Sequence, residues 1–307
     1  VRDQGVRAAE ALSAGRLIIL PTETVYGLAA DAANPLAVTA LYEAKGRPRF
    51  NPLIAHVPDL AMAERIAVLD ERARSLAAAF WPGGLTLVAP VREAALVCDL
   101  ARAGLDTVAV RVPAHPLARE VLDLFGAPVV APSANRSGRP SPTSLADAMS
   151  ETGPAAAIGL DGGPCRIGLE STVIALLEGP PRLLRPGAVT RSAIEAVIGP
   201  LAEAEADARR SPGRLTRHYA PASPLRLEAS GPRAGEAYLA FGPCGERPLS
   251  FNLSPAGDLA EAARRLFACL RAADALAPIA IAVAPIPDSG LGEAINDRLR
   301  RAAGMVG

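Results

Sequence analysis

LIILPTETVYGL, residues 17–28, is the stretch on which the fold turns. Four apolar residues, Leu17 to Leu20, stop at Pro21, and the short hydroxyl side chains Thr22 and Thr24 follow with Glu23 between them. A continuous apolar run of this length predicts a strand buried on both faces, as in sheets covered by helices. Polar groups directly after such a strand stand where open α/β sheets place ligands. An ordinary strand-to-helix turn with Thr as a local cap reads the same way.

Upstream, residues 2–14 predict an amphipathic helix stopped by Gly15. Downstream, residues 21–31 read as a turn-like segment. A helix then opens at Asn34 as N-cap with Pro35 in its first turn and ends before Gly46. Buried strands are predicted at 53–57, 85–88, 108–112, 129–131, 156–160 and 172–176, and helices at 71–80, 116–125, 145–151 and 192–198. That alternation predicts an α/β domain over residues 1–201. The pattern breaks at 202–223, where an Ala/Glu/Arg stretch leads into Ser211-Pro212-Gly213 and Pro221, the composition of a linker. Strands at 225–228, 238–241 and 279–283 with helices at 259–275 and 291–303 predict a second, smaller α/β unit over 224–307.

Composition narrows the function. The 307 residues carry 32 basic and 32 acidic side chains, balanced in both halves, so neither half has the basic footprint of a direct nucleic-acid grip. The four cysteines form no C-x-x-C pair and the three histidines no H-E-x-x-H, so a protein-built metal centre is not expected and a magnesium ion would arrive with a phosphate substrate. No apolar run approaches the ~20 residues of a membrane span. Residues 1–16 contain Arg2, Asp3, Arg7 and Glu10, unlike a signal peptide. A cytoplasmic chain without membrane contact is expected. Of the basic residues, all but Lys45 are arginine. A chain that uses arginine wherever a positive charge suffices retains lysine where a compact point charge is needed, or by chance on a solvated surface.

Four constellations could carry chemistry. The first is the 21–28 segment itself. Lys45-Gly46-Arg47-Pro48, with Asn51 and His56 close behind, makes a dense cationic turn suited to a polyphosphate, although Lys45 at a helix end also complements the helix dipole. His56 inside an apolar strand reads equally as a core histidine. Ala131-Pro132-Ser133-Ala134-Asn135 and Ser137-Gly138-Arg139-Pro140-Ser141 follow another strand and offer short polar side chains to a ligand. Arg111 within an apolar strand requires a partner, a structural carboxylate or a substrate anion; Glu170-Ser171-Thr172-Val173 and Arg185-Pro186-Gly187 complete this last set. There is no G-x-x-x-x-G-K-[ST] and no G-x-S-x-G.

Taken in order, PTETVYGL (21–28), LYEAKGRPRFNPL (41–53), WPGGLT (81–86), VAVRVP (108–113), APSANRSGRPSPT (131–143), ESTV (170–173) and LLRPG (183–187) resemble the YrdC-like threonylcarbamoyl-AMP synthases. SPGRLTRHYAP (211–221) and GLGEAINDRLRRAA (290–303) are similar to the linker and carboxyl-terminal domain of the long, two-domain form. The resemblance implies a twisted mixed α/β sheet with a large concave cavity, followed by a Rossmann-like domain. It implies condensation of L-threonine, bicarbonate or carbon dioxide, and ATP (with magnesium) into threonylcarbamoyl-AMP and pyrophosphate. That product is passed to a downstream transferase that modifies the tRNA adenosine next to the anticodon, with only weak or indirect RNA contact here.

By motif, the resemblance places Lys45 and Arg47 on the ATP phosphates, in the catalytic roles. Asn51, Thr107, Ser133, Asn135, Ser141 and Arg185 surround the nucleotide, and Tyr219 reaches over it from the linker. It places Thr24, His56, Arg111, Ser171 and the backbone of Ala131 around threonine. Gly84 stands where relatives commonly have Pro, a departure expected to loosen a turn without touching a contact. Carbamoyl transfer of the hydrogenase-maturation kind, an RNA-binding module and a related enzyme with another amino-acid substrate are the competing readings.

Overall fold

The structure is a computed structural model and describes residues 2–203, 218–245 and 249–305. The first unit runs α1 (Arg2–Ser13), β1 (Leu17–Leu20), β2 (Gly27–Asp31), α2 (Pro35–Lys45), β3 (Ile54–His56), α3 (Leu60–Ile66), α4 (Glu71–Phe80), β4 (Leu85–Pro90), β5 (Thr107–Arg111), α5 (Pro116–Phe125) and β6 (Val129–Val130). It continues with α6 (Leu145–Thr152), β7 (Ala156–Gly159), β8 (Thr172–Ala175), β9 (Arg182–Arg185), α7 (Arg191–Ile198) and β10 (Ala202–Glu203). These strands form one sheet in the order β10-β9-β8-β4-β5-β3-β6-β2-β1-β7, with parallel and antiparallel pairs mixed. The second unit comprises β11 (Leu225–Arg226), β12 (Ala237–Ala240), β13 (Ser250–Asn252), α8 (Leu259–Asp274), β14 (Ile281–Val283) and α9 (Leu291–Ala302). Its sheet, β11-β14-β12-β13, is parallel at every pairing. This is the Rossmann-like arrangement the sequence predicts.

The apolar strands serve two cores at once. Leu17 and Ile19 of β1 enter the main core while Ile18 and Leu20 enter a second one beneath α1 and α5. The two-residue period of a strand sends neighbours to opposite faces, so an uninterrupted apolar run is what a strand covered on both sides requires. Val108 and Val110 of β5 likewise join the main core and Ala109 a smaller cluster.

Helix α2 is bounded as its sequence dictates. Asn34 Oδ1 accepts the N–H groups of Leu36 at 3.0 Å and Ala37 at 3.2 Å. At the other end Gly46 adopts a left-handed backbone (φ 57°), which turns the chain sharply so that Lys45 and Arg47 both point inward. One expectation is corrected. The segment 21–31, read as turn-like, contains β2, whose Gly-Leu-Ala-Ala run is short of β-branched residues and draws its strand character from pairing with β1 and β6. Helix α3 and strands β9, β10 and β13 were not expected. The linker read at 202–223 falls largely on 204–217, outside the described residues.

One close approach fixes the frame of the site. A β-carbon on Gly187 would stand 2.4 Å from the Glu170 carbonyl oxygen and 2.6 Å from the Thr172 nitrogen, where only hydrogen fits. Replacing Gly187 by Ala is expected to lower the unfolding free energy by ~1–3 kcal/mol. Denaturant titration checks this; an unchanged midpoint would show that the backbone yields freely here.

Candidate functional site

The ends of β1, β3, β5, β6, β8 and β9 meet around a cavity with a free volume of about 50 Å³. Nine of the residues singled out above line it: Thr24, Arg47, His56, Arg111, Ala131, Ser133, Ser171, Arg185 and Tyr219. Lys45, Asn51, Asn135 and Ser141 are buried in the surrounding wall and do not reach its surface. Thr107 lies two residues before Ala109, the partner of Ile54 in the β3–β5 register, and also stays outside the cavity.

At one end, β3 and β5 run parallel with His56 opposite Arg111. Arg111 donates from Nε to the Gly83 carbonyl (3.0 Å), from Nη1 to Thr24 Oγ1 (2.9 Å) and from Nη2 to Glu23 Oε1 (2.6 Å). The partner demanded by a buried guanidinium is therefore Glu23. Burial alone would raise the Glu23 carboxyl, but Arg111 outweighs it and holds the group below its ordinary value. Two of the five guanidinium hydrogens stay uncommitted by this count, one each on Nη1 and Nη2. His56 is pushed down to about 3, first by burial and then by the Arg111 charge, so it is a neutral ring whose Nδ1 contacts the Ile54 carbonyl at 3.2 Å. Ser171 Oγ and Thr86 Oγ1 stand 2.7 Å apart.

At the other end the cations gather. Arg47 lines the cavity and donates to the Pro52 carbonyl at 3.2 Å; burial, aided by Arg185, brings its guanidinium down to about 10. Arg185 donates to the Ser171 carbonyl from Nη2 at 2.9 Å. Lys45 does not project into the cavity. Its ammonium donates to the carbonyl oxygens of Ser133 and Asn135, and burial followed by repulsion from Arg47 holds its pKa well below the ordinary lysine value. In this arrangement the point charge pins the 131–141 loop from behind, with one of its three donors to spare. A guanidinium there would be longer and planar where the ammonium is compact.

His218 and Tyr219 fill what remains. The Tyr219 ring packs against Phe267 with centroids 5.6 Å apart and edge-on to His218 at 4.0 Å. Tyr219 Oη and His218 Nδ1 are buried without a hydrogen-bond partner among the described residues. Burial and the charges of Arg47, Lys45, Arg185 and Arg298 keep His218 far below its ordinary value. Both rings stand on the cavity lining, beside Arg47, Glu170, Ser171 and Arg185. Among the described residues the single carboxylate on the lining is Glu170. Sequence reading assigned no role to His218, Glu23 or Arg298. The first adjoins Tyr219 in the R-H-Y motif, which was the available signal; Glu23 and Arg298 carry none, because their partners lie 88 and 128 residues away.

Gly84 also takes on a meaning the sequence hid. A β-carbon there would stand 2.5 Å from Ala188 Cβ and 3.5 Å from Thr24 Cγ2. It packs the wall behind Thr24 and does not merely loosen a turn.

Two family descriptions cover this architecture: "Telomere recombination" matches residues 10–187, and "Threonylcarbamoyl-AMP synthase, C-terminal domain" matches residues 189–304. The chain belongs to the threonylcarbamoyl-AMP synthase family. It is 38% identical to the threonylcarbamoyl-AMP synthase of Bacillus subtilis, over 98% of this chain and 93% of that one. It is 41% identical to the synthase of Pyrococcus abyssi, over 97% of this chain and 93% of that one. The crystal structure of P. abyssi Sua5 complexed with L-threonine superposes with a TM-score of 0.92 at 39% identity, covering 99% of this chain and 95% of that one. Among the described residues of this family member no helix is long and apolar enough to cross a membrane, and no three His, Cys, Asp or Glu side chains cluster as metal ligands.

Two predictions follow from this geometry. Lys45→Arg is expected to cut turnover at least ~100-fold by displacing the 131–141 loop, measured as pyrophosphate release; wild-type turnover would remove the point-charge argument. The unfolded chain protonates His56 near 6.5 while the folded chain resists down to about 3. Between those values the unfolded state holds more protons, so stability rises with pH and is lost on acidification below 6.5. Melting temperatures between pH 7 and 5 should fall less steeply in His56→Gln than in wild type; parallel slopes would contradict the assignment.

Proposed function

We propose that the protein condenses L-threonine, bicarbonate (or the carbon dioxide in equilibrium with it) and ATP to threonylcarbamoyl-AMP and pyrophosphate. The observation that carries this reading is one cavity with a hydroxyl-lined, Arg111-anchored end and an end overseen by Lys45, Arg47, Arg185 and Arg298. Threonine occupies the first end. The two uncommitted hydrogens of Arg111 receive its carboxylate, and Thr24, Ser171, neutral His56 and the Ala131 backbone surround the rest. Its amine, left free, takes up the one-carbon unit as a carbamate. A carbamate oxygen then attacks the α-phosphorus of ATP as the bond to the β-phosphate breaks and pyrophosphate leaves.

The cations stabilise charge that accumulates on the leaving group, and positioning replaces covalent catalysis. Arg47, Arg185 and Ser133 meet the nucleotide from the lining; Lys45, Asn51, Thr107, Asn135 and Ser141 support it from the wall. Both oxygens of Glu170 are taken by Ser141 and Arg298, so magnesium enters as part of the ATP substrate and not on protein carboxylates. His218 and Tyr219 line the site, and these rings lying over the nucleotide would exclude water from it. The balanced charge of the chain favours handing the product to a separate, cytoplasmic tRNA-modifying transferase over a strong RNA grip of its own.

Pyrophosphate release from ATP and magnesium, with threonine and bicarbonate omitted in turn, tests the reaction. Release is expected only when both are present; release that needs neither would refute it.

A further inference from the structure

Helix α9 of the second unit sends Arg298 into the wall of the first unit's cavity, where its side chain is fully buried. Its Nε donates to Glu170 Oε2 at 2.8 Å, and its Nη1 donates to the Pro186 carbonyl at 2.9 Å and to Asp297 Oδ2 at 2.7 Å. The guanidinium carbon lies 5.1 Å from the centroid of the Tyr219 ring. Glu170 Oε1 accepts the hydroxyl proton of Ser141. A chain of contacts therefore runs from α9 through a carboxylate to a residue placed at the nucleotide.

Two physical consequences converge. Glu170 is a buried carboxylate on the lining of a cavity suited to a polyanion. Left alone it would repel the triphosphate, and a buried charge that loses its partner is strongly penalised. The unit that seals Glu170 from water also supplies its counter-charge. A serine hydroxyl, moreover, has a single proton. With that proton committed to Glu170, Ser141 presents only lone pairs to a ligand, and so meets an N–H or O–H of the nucleotide and not a phosphate oxygen.

We propose that Arg298 is a positioning residue for ATP: it neutralises Glu170 and holds it as the acceptor of the Ser141 hydroxyl, so that the second unit completes the nucleotide site. This rests on the reaction proposed above, but binding tests it separately. Titration calorimetry of the full chain with ATP and magnesium, without threonine or bicarbonate, reads affinity apart from turnover.

Arg298→Met is expected to weaken ATP at least ~10-fold, read directly as calorimetric affinity and mirrored in KM for ATP. Adding Glu170→Gln to that variant removes the orphaned charge while keeping an oxygen for Ser141, and should recover most of the affinity. Arg298→Lys, which keeps the charge, should lose less than Arg298→Met.

Unchanged ATP affinity in R298M, or a loss that E170Q in the same chain does not recover, would overturn the proposal. Should R298M fail to fold, an R298M/E170Q chain that folds but binds ATP no better than Arg298→Ala would do the same. A wild type that binds ATP yet releases no pyrophosphate would sink the reaction and leave Arg298 to be judged on affinity alone.

Discussion

Positive charge held out of water is the constraint around which this molecule is arranged. Lys45, Arg47, Arg185 and Arg298 all act on His218, and among the described residues Glu170 is the one carboxylate on the lining of the cavity they surround. Charges in such a position cost several kcal/mol each unless something answers them. Carbonyl oxygens answer part of the demand: those of Ser133 and Asn135 for Lys45, Pro52 for Arg47, Ser171 for Arg185 and Pro186 for Arg298. Carbonyls solvate a cation without cancelling it, so the cavity keeps an appetite for anions. The nucleotide triphosphate proposed above would satisfy it.

The architecture delivers that charge by ordinary means. An Asn34 cap and a left-handed Gly46 fix where α2 ends, and hence where Lys45 and Arg47 enter. Gly187 lets the β9 exit lie directly on Glu170 and Thr172, bringing Arg185 onto the Ser171 carbonyl. The Arg111 end, where threonine is proposed to sit, has different electrostatics, since Glu23 is paired with Arg111. A polar but nearly balanced pocket therefore adjoins a strongly cationic one, which suits an amino acid beside a triphosphate.

Local signals were legible in the sequence and long-range ones were not. The bounds of α2, α4 and α5, the two-faced burial of β1 and the identity of the loops that meet at the cavity all follow from caps, periodicity and turn residues. Strand β2 escaped because Gly27, Ala29 and Ala30 have little strand preference of their own; pairing with β1 and β6 makes the strand. The Arg111–Glu23 pair could be posed as a question, since a buried arginine needs a partner, but the answer lay 88 residues away. Arg298 offered less still. In D-R-L-R-R it reads as one more helix arginine until the two units are seen packed together. Lys45 was singled out correctly as the lone lysine, yet its direction, toward two backbone carbonyls, depended on a loop some 90 residues downstream.

The central claim is that one cavity joins an amino acid, a one-carbon unit and an adenylate. Supplying ¹³C-bicarbonate with threonine, ATP and magnesium, and weighing the nucleotide products by mass spectrometry, tests that claim most directly. The account predicts an AMP ester whose mass contains both threonine and the labelled carbon. A threonyl-adenylate without the label, or AMP free of any adduct, would contradict it.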